Sequence, residues 1–343
     1  MAHSGMIVAS MRPRKSKSLG FGIGITLIIV GCSGQSQDAD LGLDYAEAVE
    51  TALKQPKARM KTVEVFPSRR DRRHDLEAIR VSFGEWNDLE SCAAGGLIAE
   101  ANSPLGRVRT PFERVRHSQS LLVALEGCED TMTERAWAQF QAPRKQKMEQ
   151  LDEERWNAFW LSEPVEQSLG RTTPLNGSLR SDAPRLWLAL SKSLESDGEG
   201  NLDEKTWYAT ESTLLRTAAV GEALRFMQYT TLSLERVVRA VEQSRLGRTN
   251  CLQRDRRVIA LMRGHYGKRL QPLMARGDQT IRSSSEALSR VIEELTPSEG
   301  IPENMMAWAS QWRGQQAFSE YRSAIRRHAS HIGELLSACD ETL

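Results

Sequence analysis

Acidic residues are missing from the N-terminal part of the chain. The first is Asp38, whereas Arg12, Arg14, Lys15 and Lys17 stand together just before an apolar stretch running from Leu19 to Val30. Long apolar runs are scarce too. That stretch of about 12 residues is well short of the roughly 20 that a helix needs to cross a bilayer, and no later segment does better, so a transmembrane span in the mature chain is excluded. Aromatic residues make up only 6% of the sequence, and the alternation of Val, Ile and Thr that would mark strands is hard to find. A charge excess of either sign is lacking as well. The formal net charge is +1, and with the N-terminal bases set aside the remainder is slightly acidic. That leaves no electrostatic footprint for nucleic acid.

Catalytic signatures are also absent. The sequence has no Gly-x-Ser-x-Gly elbow, no His-Glu-x-x-His helix and no Cys-x-x-Cys pair, which leaves nucleophilic catalysis and zinc chemistry without their usual starting points. Gly20, Gly22 and Gly24 fall inside the N-terminal apolar stretch and cannot form a phosphate loop. Gly95 and Gly96 read as a close helix contact. No catalytic residue, metal ligand or cofactor is assigned.

What is present first is an address. Basic residues, an apolar core and then Ile29-Val30-Gly31-Cys32 form the pattern of a signal peptide ending in a bacterial lipobox. A thiol is required there because the thioether to diacylglycerol forms on sulfur. Residues 1–31 are therefore read as signal peptide, with Cys32 as the lipidated N-terminus, and the polar run from Ser33 to Asp38 opens a flexible tether covering 32–41. In Gram-negative lipoproteins an Asp directly after the lipidated cysteine signals inner-membrane retention. By that resemblance, Ser33 implies the periplasmic face of the outer membrane.

The mature part reads as all-α: an array of long antiparallel helices, rich in Leu, Ala, Glu, Arg and Gln. Helices are expected over 42–54, over 76–97, from Pro111 to about Cys128, and over 131–161 with a kink at Pro143. Residues 164–185 read as loop-rich, followed by a short helix at 186–194. The stretch Glu195-Ser-Asp-Gly-Glu-Gly-Asn-Leu-Asp203 is the most obvious linker and divides a subdomain at 42–196 from one at 197–343. Beyond it, helices are expected from about 215 to 246, over 259–295 with a kink near Pro272 or Gly277, and over 308–339.

Four cysteines remain after Cys32, namely Cys92, Cys128, Cys251 and Cys339. An even number in an oxidising compartment favours two disulfides, with three connectivities possible. An antiparallel hairpin turning near residue 299 would bring Cys251 to Cys339. Cys92 with Cys128 then follows by elimination and needs an offset hairpin, because its arms are unequal. His328 and His331 with Glu334 could ligate a metal, but His328 lies on an apolar stripe and reads as a packed side chain. The acidic loop before Thr206 resembles a calcium loop only loosely.

The segment from Cys92 to Cys128, with Leu97-Ile-Ala-Glu-Ala-Asn-Ser-Pro-Leu-Gly-Arg-Val108 at its centre, resembles an uncharacterised family of Gram-negative lipoproteins with a domain of unknown function. Members carry a cysteine, an Ile-Ala-Glu-Arg-Asn-Ser-x-Leu-Gly-like run and a second cysteine; here Ala101 replaces the usual Arg. The resemblance extends to Asp44-Tyr45 and Phe66-Pro-Ser-Arg-Arg70. It implies the lipoprotein address and the Cys92–Cys128 pair, and it implies no activity. Asn102, Ser103, Leu105, Gly106 and Arg107 form either a turn that fixes a helix crossing, with Leu105 tucked beneath it, or a partner-binding loop. The expected function is a binding or scaffold module at the cell envelope, anchored to the membrane by lipid, with an envelope protein as partner. The alternative is a helical carrier or enzyme with a buried site. A dry internal pocket would favour the alternative, and an exposed apolar patch beside a solid core would favour the module.

Overall fold

Residues 40–56, 65–77, 79, 89, 92–170, 182–195, 202–216, 219–244 and 251–341 are described by a computed structural model. Cys32, the signal and most of the tether lie outside them, as do Phe83, Trp86, Asp197 and Glu199. Among the described residues the secondary structure is helical, without a strand. The first helix, α1 (Asp40–Ala52), buries Tyr45, Ala46 and Val49 on one stripe. Lys54, in a left-handed conformation, and then Pro56 stop it.

Three helices follow: α2 (Ala93–Asn102), the single turn α3 (Pro104–Arg107) and α4 (Pro111–Glu126), the last of which adds Phe112 and Val115 to the main core. The helix expected over 131–161 is two, α5 (Glu134–Glu149) and α6 (Leu151–Trp160), parted at Gln150. Pro143 stays inside α5. The loop expected over 164–185 holds α7 (Glu163–Gly170) and the start of α8 (Ala183–Lys192). Pro164 and Pro184 sit in first turns, where the missing N–H costs nothing. The start of the helix expected over 76–97 is not helical: residues 73–77 and 79 are irregular, and 78 and 80–88 lie outside the described residues. A side chain replaces helical pairing there, since the Asn157 amide accepts from the His74 N–H at 2.9 Å and donates to its carbonyl at 3.0 Å.

Asp203 starts α9 (Glu204–Leu214) by accepting the Thr206 N–H at 2.9 Å. Part of the supposed calcium loop is thereby committed to capping a helix. Next comes α10 (Ala219–Ser244), the central helix, which packs against α1, α7 and the two long C-terminal helices. Near its start Gly221 touches the α7 backbone, and a Cβ there would lie 1.7 Å from the Ser168 carbonyl oxygen. Glycine to alanine in an open helix gains about 1 kcal/mol. Here the sign reverses, and Gly221→Ala is expected to lose about 2–3 kcal/mol by overpacking, measurable as a lowered thermal midpoint. An unchanged midpoint would mean that α7 and α10 are not in contact.

The chain then runs through α11 (Gln253–Leu261), a π-helical stretch (Met262–Leu270) and α12 (Gln271–Leu295). The expected kink takes this form because Pro272 has no N–H to give the preceding turn. The Gln271 N–H instead reaches back to the Tyr266 carbonyl, five residues away, and the helix widens. Met262, Tyr266 and Leu270 keep a common buried face. The last expected helix is also two, α13 (Glu303–Trp312) and α14 (Gln316–Ala338). Gly314 and Gln315, both at positive φ, separate them. Within the stripe, Trp308, Trp312, Tyr321, His328, Ile332 and Leu335 are buried as expected.

Both expected disulfides are formed, with Cα–Cα distances of 5.5 Å for Cys92–Cys128 and 4.8 Å for Cys251–Cys339. The fold is thus all-α, a helical array with two staples. The main core draws on residues on both sides of the 195–203 linker, from Leu41 to Leu336. Its aromatic centre is a run of indoles: Trp156 to Trp160, Trp160 to Trp308 and Trp308 to Trp312, with ring centroids 5.3, 5.9 and 5.9 Å apart. Phe66 closes onto Trp308 at 4.9 Å, and the buried Arg72 guanidinium lies over the Phe66 ring at 4.2 Å, so the Phe66–Arg70 stretch is clamped to this cluster.

Candidate functional site

The segment singled out in the sequence is the tip of a stapled helical hairpin. Cys92, in an extended conformation, opens α2, and Cys128 follows the end of α4, so the disulfide closes the base. The hairpin has its own small core of Leu89, Ala94, Leu125, Cys128 and Phe140. Midway, a His117 ring nitrogen donates to the Leu97 carbonyl at 2.9 Å. Burial holds that ring's pKa below the ordinary histidine value. The offset required by unequal arms is taken up by α3 and the residues before Pro111.

Each end of the tip is locked by backbone capping. Ser103 Oγ donates to the Glu100 carbonyl at 2.7 Å and accepts the Gly106 N–H at 3.1 Å. Thr110 and Glu113 form a reciprocal capping box at the start of α4, at 3.2 and 2.7 Å, and Arg109 binds Glu100 at 2.6 Å. Gly106 is required sterically, because a Cβ would come within 2.3 Å of the Glu100 carbonyl oxygen and 2.5 Å of that of Ala101. Backbone therefore fills the space beneath the turn, and Leu105 is not tucked there. Leu105 is 81% exposed, and Val108, one turn on, is 76% exposed. The tip is fixed to the body as well, since Phe112 stacks on Trp207 at 4.3 Å and Arg116 pairs with Glu204.

Single exposed apolar side chains are common on protein surfaces, and what sets Leu105 and Val108 apart is the fixed loop that carries them. Here two caps, a disulfide and an aromatic stack hold them out. The sequence pattern flagged Asn102 to Arg107 but not Val108, whose only signal was an apolar residue in a polar loop. It also missed the capping box, which the Thr110-Pro-Phe-Glu113 spacing could have revealed.

The other candidates resolve into structural roles. His328 is fully buried, 2.9 Å from the Tyr45 hydroxyl and with its ring 4.4 Å from that of Tyr266. His331 instead reaches Glu242 at 3.0 Å, so the two histidines serve different neighbours. Cys251, Asp255 and Cys339 lie within 4.8 Å of one another, but the two sulfurs are bonded to each other. Asp255 accepts the Leu252 N–H at 3.1 Å, which caps α11.

Burial, followed by the charge of His331, lowers the His328 pKa from 6.5 to about 3. The fold therefore holds this ring neutral. Between those two values the unfolded chain binds more protons, so this contribution is complete above about pH 6.5 and is lost as pH falls towards 3. At pH 5 the loss is about 2 kcal/mol, at about 1.36 kcal/mol per unit. Urea unfolding at pH 5 and pH 7 should show His328→Gln losing less stability on acidification than the parent. Equal losses would refute the assignment.

The sequence matches the family described as protein of unknown function (DUF3080) over residues 43–343. No curated protein and no solved structure matches the chain. The match takes in the helical body with both disulfide pairs and the hairpin tip, and the chain belongs to the DUF3080 family.

Proposed function

We propose that this protein is a lipoprotein, acylated at Cys32 after loss of residues 1–31 and held on the periplasmic face of the outer membrane. Its helical body is a binding module that docks an envelope protein through the hairpin tip. The anchor rests on the basic flank, the apolar stretch and the Gly31-Cys32 junction in the sequence, and on Ser33 for the choice of membrane. Two disulfides fit an oxidising compartment. Among the described residues, no helix is long and apolar enough to cross a membrane, so attachment would fall to the lipid.

The observation that carries the binding role is Leu105 and Val108, exposed on a loop that cannot retract. Apolar side chains on a rigid loop lose little conformational freedom on docking, so more of their burial is realised as affinity. Leu105→Ser with Val108→Ser should leave stability within about 0.5 kcal/mol, since neither side chain is buried. In intact cells the same change should remove most of the chemically crosslinked adducts of the protein. Undiminished adducts with a folded variant would refute docking at the tip. For the anchor, palmitate labelling should be lost in Cys32→Ser, and retained labelling would refute acylation at that position.

A further inference from the structure

The charges around the tip are unequally committed. Glu100 is bound to Arg109 at 2.6 Å, Glu113 accepts the Thr110 N–H at 2.7 Å, and Glu204 is taken by Arg116. Arg107, between Leu105 and Val108, and Arg114, in the first turn of α4, are both exposed. Among the described residues neither enters an ion pair. The charge left over at the tip is therefore positive, and it flanks two apolar side chains held in water. Nearby, Tyr208 is partly exposed with its ring 5.7 Å from Phe112, which adds an aromatic edge beside the start of α4.

We infer that the docking partner presents an acidic, apolar protein segment: aliphatic or aromatic side chains that receive Leu105 and Val108, bracketed by Asp or Glu that meet Arg107 and Arg114. This rests on the tip being the docking surface and specifies what it takes. A basic partner would find Glu100 and Glu204 already paired with Arg109 and Arg116, and only Glu113, which caps α4 through one oxygen, to set against the two unpaired arginines. An anionic lipid surface is disfavoured. Two unpaired arginines contribute only about 1 kcal/mol each near such a surface, and the unpaired charge of Glu113 beside them opposes that attraction. Arginine and apolar anchors side by side are instead the composition of protein interfaces, where charge complementarity sets partner choice.

The test uses the full-length acylated protein in intact cells, with a photoreactive phenylalanine analogue in place of Val108. Irradiation should give a protein adduct, and the crosslinked peptide, read by mass spectrometry, should carry Asp or Glu beside apolar residues. Introducing R107E and R114E together should reduce that adduct at least tenfold, and Arg107→Lys with Arg114→Lys should retain it. Both substitutions fall on exposed side chains, and circular dichroism should show the helical content of the parent. An adduct of undiminished yield in the reversed-charge variant or a crosslinked peptide without carboxylates would each overturn the inference while leaving docking at the tip standing, and an adduct to lipid alone would overturn both. Absence of any adduct from position 108 in the otherwise unchanged protein would overturn the docking reading as well.

Discussion

Replacing Cys251 and Cys339 together by serine is expected to lower stability by about 4–5 kcal/mol, the largest effect of any change considered. The two residues are 88 apart in sequence, and a cross-link over a loop of that length removes much of the unfolded chain's freedom. In the folded state it ties the start of α11 to the end of α14, the open ends of the C-terminal hairpin. Cys339 also packs at the edge of the main core, and Arg263 holds Glu341 at 2.9 Å just beyond it. Denaturant unfolding of the double variant, with Cys92–Cys128 kept oxidised, should show this shift against the oxidised parent. A shift below about 1 kcal/mol would mean that the staple does little. Cys92–Cys128 spans only 36 residues and closes a hairpin with a separate small core. Its loss should be felt mainly as faster amide exchange in α2 and α4.

Glu50→Ala is expected to cost about 3–5 kcal/mol, the range found when one partner of a buried ion pair is removed. Glu50 on α1 accepts two bonds from Arg236 on α10, from Nε at 3.0 Å and Nη2 at 2.6 Å, and both side chains are almost wholly buried. The hydrogen bonds to Glu50, followed by its charge, hold the Arg236 pKa above the usual arginine value despite desolvation. Alanine would leave that guanidinium without its bonded carboxylate, with only the charge of Glu47 still acting on it from α1. Much of the cost is this orphaned cation, so replacing both residues by methionine should recover most of the stability. Calorimetry on the single and double variants measures the difference. If the double variant is as unstable as Glu50→Ala, the pair itself and not the orphan carries the energy.

The architecture was legible where one physical signal dominated. Apolar stripes at helical spacing placed most of the helices, and hairpin geometry paired Cys251 with Cys339. Breaks were less legible because their causes are distant or small. The irregular path at 73–77 depends on Asn157, more than eighty residues away. The gap between α13 and α14 rests on two residues at positive φ, of which only Gly314 is of a type that announces it. Close contacts were misplaced for a similar reason. Gly96, read as a helix contact, has open space where a Cβ would be, whereas Gly106 and Gly221 have backbone there. The Glu50–Arg236 pair was not visible at all, since on each helix the residue reads as one charge among many. At the tip, the residues were found and their orientation was not, because the outward pose of Leu105 follows from where the Glu100 and Ala101 carbonyls lie.

The central claim is that the stapled hairpin presents its tip to a protein at the envelope. Site-specific photocrosslinking in intact cells compares it most directly with other exposed apolar positions. A photoreactive residue in place of Leu105 should capture a discrete protein adduct, and the same residue in place of Met306, also exposed and on α13, should not. Equal capture at both positions, or capture at Met306 alone, would contradict the account.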